Sequence, residues 1–333
     1  MTFEFPRKPR RTILKTLLAT TLLTSAAWLS GAAQAADAWP DKPIKVIVPY
    51  TPGGATDTVT RVVMDKLATR LGQPIIIENR PGANSTLGSA IAAKADPDGY
   101  TFLSMLPAYV VNTHLYDLSF SPKQLTPVVH MADLPLFLFV SKDLPVNTLA
   151  ELIAYGKAHP DTLTYASSGT GSSAHLTGAD FALRTSLKMT HVAYKGSAPI
   201  LADLLAGRVS MAFDPVLVPM QYVKQDKLKV LAFTGKKRWP TEPDVLTMGE
   251  AGIPDFVTGS WVGLLAPTGT PQPIIDRMAK EISEIVHEPD VTKKFLDAGF
   301  GPVGSTPAEF AELMRTDSER YARIIKAANI TVD

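Results

Sequence analysis

The chain has no cysteine. That excludes disulfides, a thiolate nucleophile, Cys-ligated zinc or iron–sulfur, and lipid attachment at an N-terminal Cys. It has no large excess of charge either: 33 Lys and Arg face 32 Asp and Glu over 333 residues. The balance is uneven, because residues 1–35 carry Arg7, Lys8, Arg10, Arg11 and Lys15 against Glu4 alone. The remainder is mildly acidic, which argues against nucleic acid or an anionic membrane as the main partner, since either calls for a basic face. Metal-ligand spacing is missing too: His114, His130, His159, His175, His191 and His287 form no H-x-x-x-H pattern, so no metal and no cofactor is expected. Neither Gly156-Lys157 nor Gly235-Lys236 runs on into Ser or Thr, so there is no Walker loop. What is present is 45% apolar residues with 20% charge, a globular composition. About 300 residues is the size at which one core usually divides in two.

The basic start ends at Lys15, and Leu17–Leu29 follows as thirteen mostly apolar residues. A membrane-spanning helix takes roughly 20 residues, so this stretch is too short to be one. Ala33-Gln34-Ala35 has the small-x-small form of a signal-peptidase site. A signal peptide over residues 1–35, cleaved after Ala35, is the expectation. Arg10-Arg11 also fits a twin-arginine signal, so the general and twin-arginine export routes both stay open. No later window reaches 18 uninterrupted apolar residues, which predicts a soluble mature chain outside the cytoplasm.

Strands are predicted at Ile44–Val48, Ile75–Glu78, Tyr100–Met105, Leu163–Ala166, Thr190–Ala193, Met211–Phe213 and Leu228–Phe233. Helical spacing separates them, as over Thr58–Leu71, where Val59, Val62, Val63 and Leu67 fall on one face. Thr148 reads as an N-cap with Glu151 completing a capping box. Strand–helix alternation implies an α/β fold with mostly parallel, covered sheets. Two segments share a plan. Val46-Ile47-Val48 runs into Pro52-Gly53-Gly54-Ala55-Thr56-Asp57 and a helix. Leu163–Ala166 runs into Ser167-Ser168-Gly169-Thr170-Gly171-Ser172-Ser173 and a helix. Two lobes of similar build, each presenting one small-residue turn, are therefore expected. Helices at Pro273–Val286 and Thr306–Asn329 end the chain.

A helix N-terminus exposes unpaired N–H groups and about half a positive charge. Glycine lets a ligand approach the backbone, so such turns bind anions without Arg or Lys. Two of them across a cleft suit a small carboxylate; the bland alternative is a pair of ordinary βα connections. Enzyme readings fare worse. Gly169-Thr170-Gly171-Ser172-Ser173-Ala174 fits the dinucleotide fingerprint, but Thr190–Tyr194 lacks the acid that would hold a ribose. Ser172, Ser173, His175 and Asp180 supply the types of a hydrolase triad, yet crowd one helix start without a G-x-S-x-G elbow. Asp57 with Arg61 is an ordinary i,i+4 pair, and Arg80 is read as an anchor of its own loop. Asp214 ends an apolar run just before Pro215, where open α/β sheets bind ligands. It is either an acceptor for a substrate hydroxyl or amine, or a turn cap.

Several stretches together resemble one family. They are Trp39-Pro40-Asp41-Lys42-Pro43-Ile44, Val48-Pro49-Tyr50-Thr51-Pro52-Gly53-Gly54 with Asp57, and Glu78-Asn79-Arg80-Pro81-Gly82-Ala83. Asp96–Thr101, Tyr165–Ser172 with His175-Leu176, Tyr194-Lys195-Gly196, Asp203–Gly207 and Gly263–Pro271 complete the set. The chain is similar to the extracytoplasmic solute receptors of tripartite tricarboxylate transporters, often called Bug receptors. The resemblance implies a type II periplasmic-binding-protein-like fold, α/β, with two lobes, a central cleft and two crossing strands, here near Leu136–Ser141 and Thr258–Ala266. Lobe 1 would take residues 36–138 plus 260–333, and lobe 2 residues 139–259. The implied function is a periplasmic, non-enzymatic and monomeric receptor that binds a small organic acid and delivers it to membrane permease subunits. Dicarboxylates, tricarboxylates, amino acids and aromatic acids all remain open as ligands. An alternative partner is a sensor kinase, and a serine hydrolase is the remote one. Mapped residue by residue, the site takes Tyr50, Pro52, Gly53, Gly54, Ala55 and Thr56 from the first loop. Ala83, Asn84, Ser85 and Ser104 add to that lobe. Ser167, Ser168, Gly169, Thr170, Gly171, Ser172, Ser173 and His175 come from the other, with Tyr194 and Asp214. Asn84-Ser85-Thr86 departs from the further glycine of many relatives, so larger polar side chains would narrow this pocket.

Overall fold

The computed structural model describes residues 39–194, 197–215 and 218–332. The expected signal peptide lies outside them, as does Lys195-Gly196. The fold below is that of the unit Lys42–Asp333.

The chain opens on β1 (Ile44–Val48), whose Val46, Ile47 and Val48 are fully buried. Helix α1 (Ala55–Leu71) follows, ended by Gly72 in the left-handed conformation. Next come β2 (Ile75–Asn79), α2 (Thr86–Ala93), β3 (Thr101–Met105) and α3 (Ala108–Leu115). The long β4 (Leu125–Pro135) ends the first run, and β5 (Phe137–Ser141) starts one residue later in a different sheet. Leu136 is therefore the crossing between the two sheets. The second sheet then gathers α4 (Leu149–Ala158), β6 (Leu163–Ser167), α5 (Ser173–Thr185) and β7 (Met189–Ala193). It continues with α6 (Ser197–Leu205), β8 (Met211–Asp214), α7 (Pro219–Lys224) and β9 (Leu228–Phe233). The chain returns through β10 (Gly259–Pro267) to α8 (Gln272–Val286), α9 (Pro289–Asp297), β11 (Gly301–Pro302) and α10 (Pro307–Ala327).

The first sheet runs β11-β4-β10-β3-β1-β2 and the second β7-β6-β8-β5-β9. Both are mixed rather than mostly parallel. β1 is parallel to β2 and β3, and β6 to β7 and β8. β10 is antiparallel to β3 and β4, and β5 to β8 and β9. The reversal belongs to the strand that enters each sheet from the other: β5 and β10 run against both their neighbours, while β4 and β9, which lead out, keep the direction of the parallel strands. Thr148 caps α4 by accepting from the Glu151 N–H at 3.1 Å, but the Glu151 carboxylate accepts from the Asn147 N–H instead, so the capping box is only half made.

Ile47, Leu103, Met105, Trp261, Phe310 and Tyr321 share one core. Leu176 and Ala179 of α5 belong to it, although the rest of that helix lines the second sheet's core with Phe181. Helix α5 thus packs on both sheets. On the other side of the crossings, Trp261 Nε1 donates to Asp317 at 2.8 Å and Arg320 donates to the Val257 carbonyl at 2.9 Å, tying α10 to the returning strand.

Candidate ligand-binding site

Helix α1 starts at Gly54 with no side chain capping it. Its first N–H groups therefore lack intrahelical partners. The turn before it is held from below by Asp57, which is 2% exposed. One Asp57 oxygen accepts from the Gly53 N–H at 2.9 Å and from Arg61 Nε at 2.9 Å. The other accepts from Arg61 Nη2 and Asn79 Nδ2, both at 2.9 Å. Asn79 also donates to the Tyr50 carbonyl. Burial alone would raise this carboxyl, but Arg61, the Gly53 amide and Asn79 outweigh it and bring it down to about 2. Asp57 is thus more than the helix-surface pair its spacing suggested: it fixes both ends of the Tyr50–Gly54 loop.

The second loop of this half is backbone-strained. Ala83, Asn84 and Ser85 have φ of 45°, 48° and 71°, three successive non-glycine residues in left-handed space. Asn112 clamps them: it is 2% exposed, its Nδ2 donates to the Asn84 carbonyl at 2.7 Å, and its Oδ1 accepts from Asn84 Nδ2 at 2.8 Å.

From the second sheet, Ser172 caps α5 by accepting from the His175 N–H. The preceding turn is largely self-satisfied. Gly169 N–H donates to Ser167 Oγ, Gly171 N–H to His175 Nδ1, and Ser172 N–H to the Gly169 carbonyl. Behind it, His175 stacks on His191, and His191 Nε2 lies 2.7 Å from Ser167 Oγ. Burial pushes both imidazoles down to about 4; for His175 the neighbouring His191 adds to this. Since Nδ1 of His175 accepts from Gly171, this ring serves the loop. Asp180 pairs with Arg184, so the elements of a hydrolase triad are not assembled.

These loops meet around a cavity of about 420 Å³. Of the expected residues, Tyr50, Ala55, Asn84, Ser168, Gly171, Ser172, Ser173 and Asp214 line it. The others do not line it in this structure. Pro52, Gly53, Gly54 and Ala83 are exposed, while Gly169 and Thr170 are half-buried. Thr56, Ser85, Ser104, Ser167 and His175 are buried. Ser104 bonds Thr60 Oγ1 at 2.7 Å. Tyr194 turns its hydroxyl to Asp203 at 2.5 Å. Sequence reasoning missed Leu106, Ala108, Leu134, Leu136, Ala174, Ser197, Pro215 and Ser260. Leu134, Leu136 and Ser260 sit at the crossings and carry no local motif. Ser197 had a signal, as the first residue after the Tyr194-Lys195-Gly196 match.

The lining is apolar with scattered hydroxyls, and among the described residues it contains no Lys, Arg or His. Its one charged type is Asp214, 6% exposed, whose Oδ1 accepts from Ser197 Oγ at 2.8 Å. Burial pushes this carboxyl up to about 6, with the Ser197 hydrogen bond partly offsetting it. Among the described residues there is no group of three His, Asp or Glu placed to hold a metal.

The family model for the tripartite tricarboxylate transporter family receptor matches residues 59–330. The chain belongs to that receptor family. A curated relative from Pseudomonas sp. strain P51, the UPF0065 protein in the tcbD–tcbE intergenic region, is 36% identical over 88% of each chain. Two solved proteins from Rhodopseudomonas palustris share the fold. Rpa4515, solved with adipate, is 33% identical with a TM-score of 0.77, over 88% of this chain and 99% of that one. MatC, with bound malate, is 32% identical with a TM-score of 0.72, over 86% and 100%. The receptor family's α/β architecture with a central cleft is thus the architecture of this chain, and these neighbours are solute-binding proteins.

Proposed function

We propose that this receptor works in the periplasm, after removal of residues 1–35, as a monomer that captures a small organic acid and hands it to the membrane permease of a tripartite tricarboxylate transporter. The two halves would be residues 36–138 with 260–333, and residues 139–259. The acid's carboxylate sits on main-chain N–H groups at the starts of α1 and α5, with Asn84, Ser168, Ser172 and Ser173 adding side-chain donors. Buried amides aimed at an anion interact more strongly there than in water, because the site is drier. Closure of the halves on the solute creates the form that the permease distinguishes from the empty one. The protein binds and releases its solute without changing it.

The observation that carries this reading is a single cavity edged by two helix N-termini and, among the described residues, by no basic side chain. The acids seen in the two R. palustris neighbours support a carboxylate as the ligand. A thermal-shift screen of mono-, di- and tricarboxylates and acidic amino acids tests it. A saturating ligand at 100 times its Kd should raise stability by about 2.7 kcal/mol. Protein stripped of carried-over ligand that responds to no acid would remove the proposal.

A further inference from the structure

We infer that Asp214 and Ser197 form a second subsite, which receives a hydrogen-bond donor, an ammonium or a hydroxyl, carried by the acid at a distance from its gripped carboxylate. This inference rests on the receptor reading above and specifies its ligand class.

β6 and β8 run parallel, with Ala166 paired to Ala212, so Ser168 and Asp214 lie at the same ends of neighbouring strands. On its other side, Asp214 pairs with Phe137, the residue just after the crossing at Leu136. The carboxylate therefore stands at the joint between halves, on the wall of the cavity rather than on the outer surface. Ser197 supplies its neutral partner at Oδ1. A carboxylate has room for about four donors. Among the described residues, Ser197 is the one side chain that bonds it, and the lining offers no cation to neutralise it. With no further side-chain donor among the described residues, a buried carboxylate in that state favours one from outside, and the ligand is the group that would bring it.

Like charge makes the same point in reverse. A second ionised carboxylate of a bound acid, placed here, would face Asp214 in a dry site, where repulsion is little screened. A diacid fits only with that carboxyl protonated. Among the described residues, the other ionisable groups nearby carry no charge at neutral pH. Tyr50 shares the lining, and burial raises its hydroxyl far above the working range. His175 and His191 lie behind Gly171 and stay neutral above pH 5. A turn-anchoring role for Asp214, through Ser197 at the start of α6, would account for the hydrogen bond but would not depend on the ligand.

The test is calorimetry on the mature protein with straight-chain acids of three to eight carbons, each length as the plain monoacid, the ω-hydroxy acid, the ω-amino acid and the diacid. At pH 7.5 and the best-fitting length, the amino or hydroxy acid should bind at least tenfold tighter than the plain monoacid. The diacid should tighten at least fivefold between pH 7.5 and 5.0. In Asp214→Asn the amino acid should lose its advantage while the diacid gains tenfold at pH 7.5 and no longer responds to Asp214 ionisation. Loss of the amino advantage with the hydroxy one retained identifies ammonium as the native donor. Equal affinities for plain, hydroxy and amino acids at every length would overturn the inference while leaving the receptor reading intact. An unchanged ranking in Asp214→Asn would do the same. Should that variant fail to fold, the wild-type ligand series and its pH response decide alone. No binding by any acid would overturn both.

Discussion

The imidazole rings of His175 and His191 stack with centroids 3.6 Å apart and planes 5° from parallel. His175 Nδ1 accepts the Gly171 N–H and His191 meets Ser167, so the pair shapes the loop that lines the cavity, and the His175 contact holds only while Nδ1 is unprotonated. Protonation of His175 at Nδ1 would turn that acceptor into a donor facing another donor.

Acid should therefore loosen this loop. Both rings titrate near 6.5 when unfolded and at about 4 when folded, so the unfolded chain binds more protons between those values. Stability from the pair is complete above pH 6.5 and is lost progressively as pH falls toward 4. For the buried His175 this amounts to roughly 3 kcal/mol; the more exposed His191 contributes less after screening. Urea denaturation from pH 7.5 to 4.5 should show the fall, and His191→Phe, which keeps the stacking surface, should flatten it.

Asp214 works with the opposite sign. Its carboxyl is raised from 3.8 to about 6, so the native state binds the extra proton between those values. The penalty of the buried charge is absent below pH 3.8 and complete above 6. Asp214→Asn should stabilise the ligand-free protein at pH 7.5 by up to about 3 kcal/mol and change little at pH 4. Because Asp214 opposes the histidines between pH 4 and 6, the same variant should show a steeper loss of stability on acidification. A variant less stable than wild type at pH 7.5 would contradict this.

Asn112 holds the left-handed stretch Ala83–Ser85 through two bonds to Asn84. Asn112→Ala leaves the Asn84 carbonyl and amide without that partner and releases the strained turn. Stability should fall by roughly 1–3 kcal/mol. Acid binding should weaken more than tenfold, because Asn84 lines the cavity. Replacing Ala83 with Gly, which suits φ of 45°, should instead stabilise by about 0.5–1 kcal/mol. Thermal melts and calorimetry on the two variants check both statements.

Asp57 never touches the cavity, yet Asp57→Ala should weaken acid binding at least tenfold. Removing it frees the Gly53 amide and strands Asn79 and Arg61. A loss of roughly 1.5–3 kcal/mol in stability is expected for these charge-assisted bonds. Since the carboxyl sits at about 2, this stability is present above pH 3.8 and lost only as pH falls toward 2. Wild-type affinity in Asp57→Ala would show that the first loop keeps its shape by other means.

Much of the architecture was legible because it is written locally. Apolar runs such as Ile44–Val48 and Leu228–Phe233 became strands with those same bounds. The small-residue turns before α1 and α5 announced a helix after each, although α1 begins at Ala55, inside the turn as read, rather than at Thr58. Strand direction was not legible: β4, β5 and β10 carry ordinary strand patterns, and nothing in them states which sheet each joins. Nor was it legible that the Tyr194 hydroxyl would bond Asp203 nine residues on, a choice made by side-chain packing. The left-handed run at Ala83–Ser85 had no glycine to mark it. It exists because Asn112, from a separate helix, holds it there.

What the sequence determined alone was the menu: two α/β units, donor-rich turns at helix starts, no thiol, and no Walker loop. Those properties follow from neighbouring residues and so survive without knowledge of the fold. The tertiary structure decided which donors point into one cavity and which are consumed by their own loop. It also decided that Asp214 faces that cavity with Ser197 as its partner. Burial and mutual distance set hydrogen bonding and charge, and both are properties of residues far apart in the chain.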